Sequence, residues 1–89
     1  MKITFDPAKD SINYVKHGLL LQEAETLDWD SALIDIDSRT DYGEVLEVAY
    51  VLQDTRLYVA IFTRRLDELR IISLRKANSR EVKYYVDQI

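Results

Sequence analysis

The 89-residue chain has no cysteine, two glycines, one proline, one tryptophan and one histidine. Each scarcity closes off a class of protein. Without cysteine there are no disulfides and no thiolate metal sites, so stability has to come from packing. One histidine and no spaced carboxylate cluster supply no metal centre, and neither a metal nor a cofactor is expected. With Gly18 and Gly43 alone there is no glycine-rich loop to cradle a phosphate. Little glycine and proline beside 47% hydrophobic and 31% charged residues argues for a folded chain rather than a disordered one. No apolar run approaches the roughly 20 residues that span a bilayer. The opening "MKITFDPAKD" lacks the apolar core of a signal peptide, which points to a cytoplasmic protein with no membrane contact. The length predicts one domain over residues 1–89, with a small core.

What is present is charge, unevenly placed. The net charge of −4 argues against generic affinity for nucleic acid. Its distribution says more. Residues 20–54 carry ten carboxylates and one cation, Arg39, whereas residues 63–83 carry seven cations and three carboxylates. Either the domain has a basic side, or the two segments are neighbours and neutralise each other.

Local patterns predict the elements. "KITF" alternates as a short strand. Asp6 then caps a helix with Pro7 at its first position; Ala8, Ile12 and Val15 mark its spacing and Gly18 ends it. Leu21, Ala24 and Leu27 suggest a second short helix over 21–28. "WDSALIDID" reads as a strand, and the polar "DSRTDYGE" (37–44) as a break. "VLEVAYVL" and "RLYVAIFT" are strong strands joined tightly at Gln53–Asp54. A turn at "LDE" leads to a further strand, "LRIISLRKA". Asn78 and Glu81 form a capping box for a last helix, with Val82, Tyr85, Val86 and Ile89 at helical spacing. The predicted fold is α+β in the order β-α-α-β-β-β-β-α. Helices are expected on one face of a mainly antiparallel sheet, with the other face partly free.

Alternation along the last strand predicts Arg70, Ile72, Leu74 and Lys76 on one face, and Ile71, Ser73, Arg75 and Ala77 on the other. Ile72 and Leu74 are then the helix-packed side, with Ser73 and Arg75 on the open side. Any single arginine here reads most simply as solvated rim. As a group, Arg64, Arg65, Arg70, Arg75, Lys76, Arg80 and Lys83 suit a polyanion, because guanidinium matches phosphate geometry. His17, at the end of the first helix, is either a dipole-favoured cap or a proton-transfer group. Of Tyr84 and Tyr85, one should face inward.

Taken together, "FDPAKDSINYVKHGL", "DYGE" and "RIISLRKANSREVKYY" resemble, in that order, the BrnT ribonuclease toxins of bacterial toxin–antitoxin pairs. The likeness runs from Phe5 to Tyr85. It implies a RelE-like fold and cleavage of RNA without a metal. It also implies neutralisation by a BrnA-like antitoxin, contact with operator DNA only through that antitoxin, and a higher-order complex. Carried onto this chain, the candidate catalytic residues are Lys16, His17, Arg64, Arg75 and Lys76. Arg70, Arg80 and Glu44 are candidates for holding RNA, and Glu81 matches a further acidic position. Family members carry an arginine shortly after the Gly-Glu pair, where this chain has Val45 and Leu46. That departure supports a second reading, a catalytically weakened binding module acting through its antitoxin. A third is an interaction domain whose acidic half meets a basic partner.

Overall fold

Three tight reversals align four long strands side by side. Each turns on a residue with positive φ: Gly43 (79°), Asp54 (55°) and Leu66 (55°). Hairpin turns need this backbone region, because it matches the twist of the flanking strands. The computed structural model describes residues 2–41 and 43–89. Its elements are β1 (Lys2–Phe5), α1 (Pro7–His17), a 3₁₀ helix (Leu21–Thr26), β2 (Asp28–Asp41), β3 (Glu44–Gln53), β4 (Arg56–Arg65), β5 (Glu68–Lys76) and α2 (Ser79–Gln88). The strands form one sheet in the order β1-β5-β4-β3-β2. β1 lies parallel to β5, and every other pair is antiparallel.

The register sorts residues onto two faces. Ile34, Ala49, Ala60 and Leu74 make one row across β2 to β5. They belong to the first face, where Ala49, Ala60 and Leu74 join Val51, Phe62, Leu69 and Ile71 in the buried core, with Ile34 at its exposed margin. Leu21, Ala24 and Leu27 of the 3₁₀ segment close it. The expected second α-helix is this 3₁₀ helix instead. Its apolar residues recur every third position, which is the 3₁₀ period. The second face carries the row Leu33, Tyr50, Val59 and Arg75. α2 sits here: Tyr85 is buried and donates to the Ser31 carbonyl at 2.7 Å, and Tyr84 donates to Asp35 at 2.7 Å with its ring edge-on to Tyr50. The expectation of helices on one face is therefore corrected. The 3₁₀ helix and α2 lie on opposite faces.

Three further expectations change. β2 continues to Asp41, through the polar stretch read as a break; Tyr42 of "DYGE" lies outside the described residues. The β3–β4 turn is Asp54–Thr55, since Gln53 pairs with Arg56. The apolar spacings of the two α-helices mark mostly exposed side chains: Ile12 and Val15 on α1, and Val82 and Val86 on α2 with Ile89 just past its end, are exposed, whereas Tyr85 of the same spacing is buried. What α1 buries is Asn13. Its side chain donates to the Leu19 and Leu74 carbonyls at 2.9 Å and accepts from the Leu74 N–H at 3.0 Å. β1 covers the outer edge of β5 only as far as Ile71. Beyond that point Asn13 supplies both a donor and an acceptor to the backbone of Leu74.

Candidate anion-binding groove

A β-bulge decides which cations meet. Ile61 pairs with Ser73 and Phe62 with Ile71, so Ile72 is the extra residue in β5. Strict alternation fails there. Ile71 and Leu74 both point into the core, while Ile72 and Ser73 both line a cavity on the second face. The expectation that Ile72 packs with Leu74 is corrected by this bulge. So is the separation of Arg70 from Arg75: both line the second face.

The larger cavity, about 540 Å³, lies between α1 and the sheet. Leu46, Ile61 and Ile72 give it apolar walls. α1 contributes Lys9, Ile12, Asn13, Lys16 and His17, the strands contribute Arg39, Ser73 and Arg75. The α1 positions fall on one side because 9, 12, 13 and 16 are spaced i, i+3, i+4, i+7. Asn13 anchors that side to β5, and Gly18 at φ 73° ends the helix immediately after His17. A smaller cavity of about 110 Å³ adjoins through Lys9 and Ile72, and adds Asp6, Glu44, Thr63, Arg65 and Arg70. Together they make a groove with six Lys/Arg residues among its lining: Lys9, Lys16, Arg39, Arg65, Arg70 and Arg75.

Carboxylates hold three of these arginines. Arg75 makes a bidentate pair with Glu81, both contacts 2.7 Å. Arg39 Nη2 meets Asp37 at 2.7 Å and Arg65 Nη2 meets Glu44 at 2.6 Å. Hydrogen bonds from Arg75 hold the Glu81 carboxyl below its usual range, those from Arg65 do the same for Glu44, and those from Arg39 for Asp37. The same pairing raises Arg75 and Arg39. These carboxylates therefore stay ionised near neutral pH. Glu44 in particular is a poor proton acceptor there.

Of the residues singled out from sequence, Lys16, His17 and Arg75 share the larger cavity, and Glu44 and Arg70 line the smaller one. Arg64, Lys76 and Arg80 line neither. Arg64 points to the first face, pairs with Glu47 at 2.6 Å and lies over the Phe62 ring. Lys76 is exposed at the end of β5 and Arg80 in the first turn of α2. Arg39 is not among the expected site residues, because it lies in the stretch read as a break. The lone cation of an acidic segment was the available signal. Among the described residues no group of three His, Cys, Asp or Glu could hold a metal ion, and no helix is long and apolar enough to cross a membrane.

A half-open groove with apolar walls and cationic sides is a site for a phosphate-bearing ligand with a flat or apolar part. The comparison with known families agrees in kind. Residues 5–81 match the BrnT family, described as the ribonuclease toxin of type II toxin–antitoxin systems, and the chain belongs to that family. No curated protein matches it.

Proposed function

We propose that this chain is a metal-independent endoribonuclease that cleaves RNA by attack of the 2′-hydroxyl, with its active site in the groove between α1 and the second face of the sheet. The observation that carries the reading is the meeting of Lys16 and His17 from the end of α1 with Arg75 from β5 in one cavity. Such a reaction needs a base for the 2′ proton, an acid for the leaving oxygen and cations for the phosphorane. His17 suits the base, because imidazole chemistry works near neutral pH. Arg75 and Lys16 hold the phosphate, and Arg70 with Arg65 extends the track for the RNA backbone. The fold is taken as RelE-like and the protein as cytoplasmic. The partner is a BrnA-like antitoxin that reaches operator DNA and assembles with the toxin into a higher-order complex. Incubating a labelled RNA with the purified protein in excess chelator tests the reading. Cleavage should persist in chelator and fall with Arg75→Ala or His17→Ala; full activity in both variants would remove this site.

A second reading, a weakened toxin that acts chiefly through its antitoxin, draws on one feature. Leu46, one of the two positions after the Gly-Glu pair where the family resemblance implies a cation, lines the cavity, and three groove arginines already have carboxylate partners. Induced expression separates the two: growth arrest relieved by the antitoxin favours the enzyme, and normal growth favours the binding module.

A further inference from the structure

Glu81 joins two structures that the sequence keeps apart. Its Oε1 accepts from the Asn78 N–H at 2.9 Å, closing the capping box that starts α2. The same carboxylate accepts from Arg75 Nη1 and Nη2 at 2.7 Å each. A guanidinium has five N–H groups in a rigid fork. Glu81 takes the end edge of Arg75, and Nη1 also reaches the Lys76 carbonyl at 3.4 Å. Among the described residues nothing accepts from Nε–H, so the side edge, Nε–H with the second Nη2–H, remains whole. That edge matches two oxygens of a phosphodiester. The Arg75–Glu81 pair is also better shielded than the Arg39–Asp37 and Arg65–Glu44 pairs: the arginine side chains are 34%, 71% and 50% exposed.

We infer that Glu81 is a positioning residue of the groove, one that fixes Arg75 with its side edge held out to a phosphodiester and makes this orientation depend on the first turn of α2. The inference rests on the proposed ribonuclease reading. Removing a carboxylate beside a polyanion site should by charge alone tighten RNA binding. Positioning predicts something else. In full-length Glu81→Gln, kcat on a single-stranded RNA oligonucleotide should fall about tenfold or more, while KM stays level or drops. A kcat that holds or rises as KM drops would make Glu81 a mere neutraliser and overturn the inference. The wild-type protein titrated with inorganic phosphate gives a second readout. The Arg75 Nε–H resonance should move, and should move less in the variant. A wild-type resonance unmoved at saturating phosphate overturns the inference even where the variant does not fold. Failure of the wild type to cleave RNA would count against the ribonuclease reading alone, and the phosphate titration then decides the role of Glu81.

Discussion

Arg64 and Arg65 are neighbours in sequence, yet they serve opposite faces of the sheet. Arg64 lies over Phe62 and pairs with Glu47, at the rim of the dry core. Arg65 pairs with Glu44 and lines the groove. Both pairs come from one hairpin, which sets two acidic residues of β3 against two basic residues of β4. Part of the charge asymmetry is thus spent on neighbours that neutralise. On the second face the bulge at Ile72 turns Arg70 to the same side as Arg75, and α1 adds Lys16. The contrast between the faces is one of closure. The first is sealed by Leu21 and Ala24 of a 3₁₀ helix and by Leu27 just after it. The second is covered by α2 at one end and open beside α1 at the other.

The sharpest way to break this comparison is to remove one arginine from each face. Arg75→Ala should lower RNA cleavage about 100-fold or more, the scale for losing a donor to developing transition-state charge. Arg64→Ala should change it less than about twofold, since an exposed ion pair contributes little. Equal losses in single-turnover cleavage would show that the faces do not divide the labour as described.

Stability should divide α2 in the same manner. Tyr85→Ala removes the buried ring and its bond to Ser31, and should cost about 3 kcal/mol in urea unfolding. Val86→Ala, one residue on, should stay within about 0.5 kcal/mol because the side chain is 58% exposed. A Val86 effect as large as that of Tyr85 would place α2 differently on the sheet. For α1 the anchor is polar. Asn13→Ala leaves the Leu74 N–H and carbonyl without their partner and should cost about 2 kcal/mol. It should also lower cleavage, because Lys16 and His17 ride on the same helix. Unchanged urea midpoints would refute the edge-capping role.

The particular residues show what can be read from a chain and what cannot. Strands and caps were legible because their signals are local: β-branched and aromatic runs in β3 and β4, Asp6 before Pro7, Asn78 with Glu81. The bulge was not, since Ile72 is extra only relative to a partner strand, and no glycine marks it. The helix faces misled for a related reason. Ile12 and Val15 have core-like spacing, but α1 packs against a strand edge, and an edge calls for a donor and an acceptor rather than a methyl group. Lys16, His17 and Arg75 were recognised by residue type and motif, whereas Lys9 and Arg39 join the cavity only because the helix face and the long β2 bring them there.

The smallest expected effect is on acid stability, and it again separates a shielded pair from exposed ones. Glu81 has its pKa lowered chiefly by hydrogen bonds from Arg75, then by the Asn78 N–H, against an opposing effect of burial. A carboxyl that is more acidic folded than unfolded adds stability that is complete above its ordinary value of 4.5 and lost as pH falls through the lowered folded value. Asp37 and Glu44 are lowered in the same direction, but their arginine partners are more exposed than Arg75, so salt screens these pairs more. At moderate salt the Glu81 contribution should therefore persist while the other two fade. Thermal midpoints measured from pH 6 down to pH 3 should fall more steeply for the wild type than for Glu81→Gln, and the curves should converge at the acid end. Adding salt should flatten the corresponding difference for Glu44→Gln far more than for Glu81→Gln. Parallel curves for wild type and Glu81→Gln would mean that the Arg75–Glu81 pair contributes nothing to the folded state, and that the groove's arginine is held in place by its strand alone.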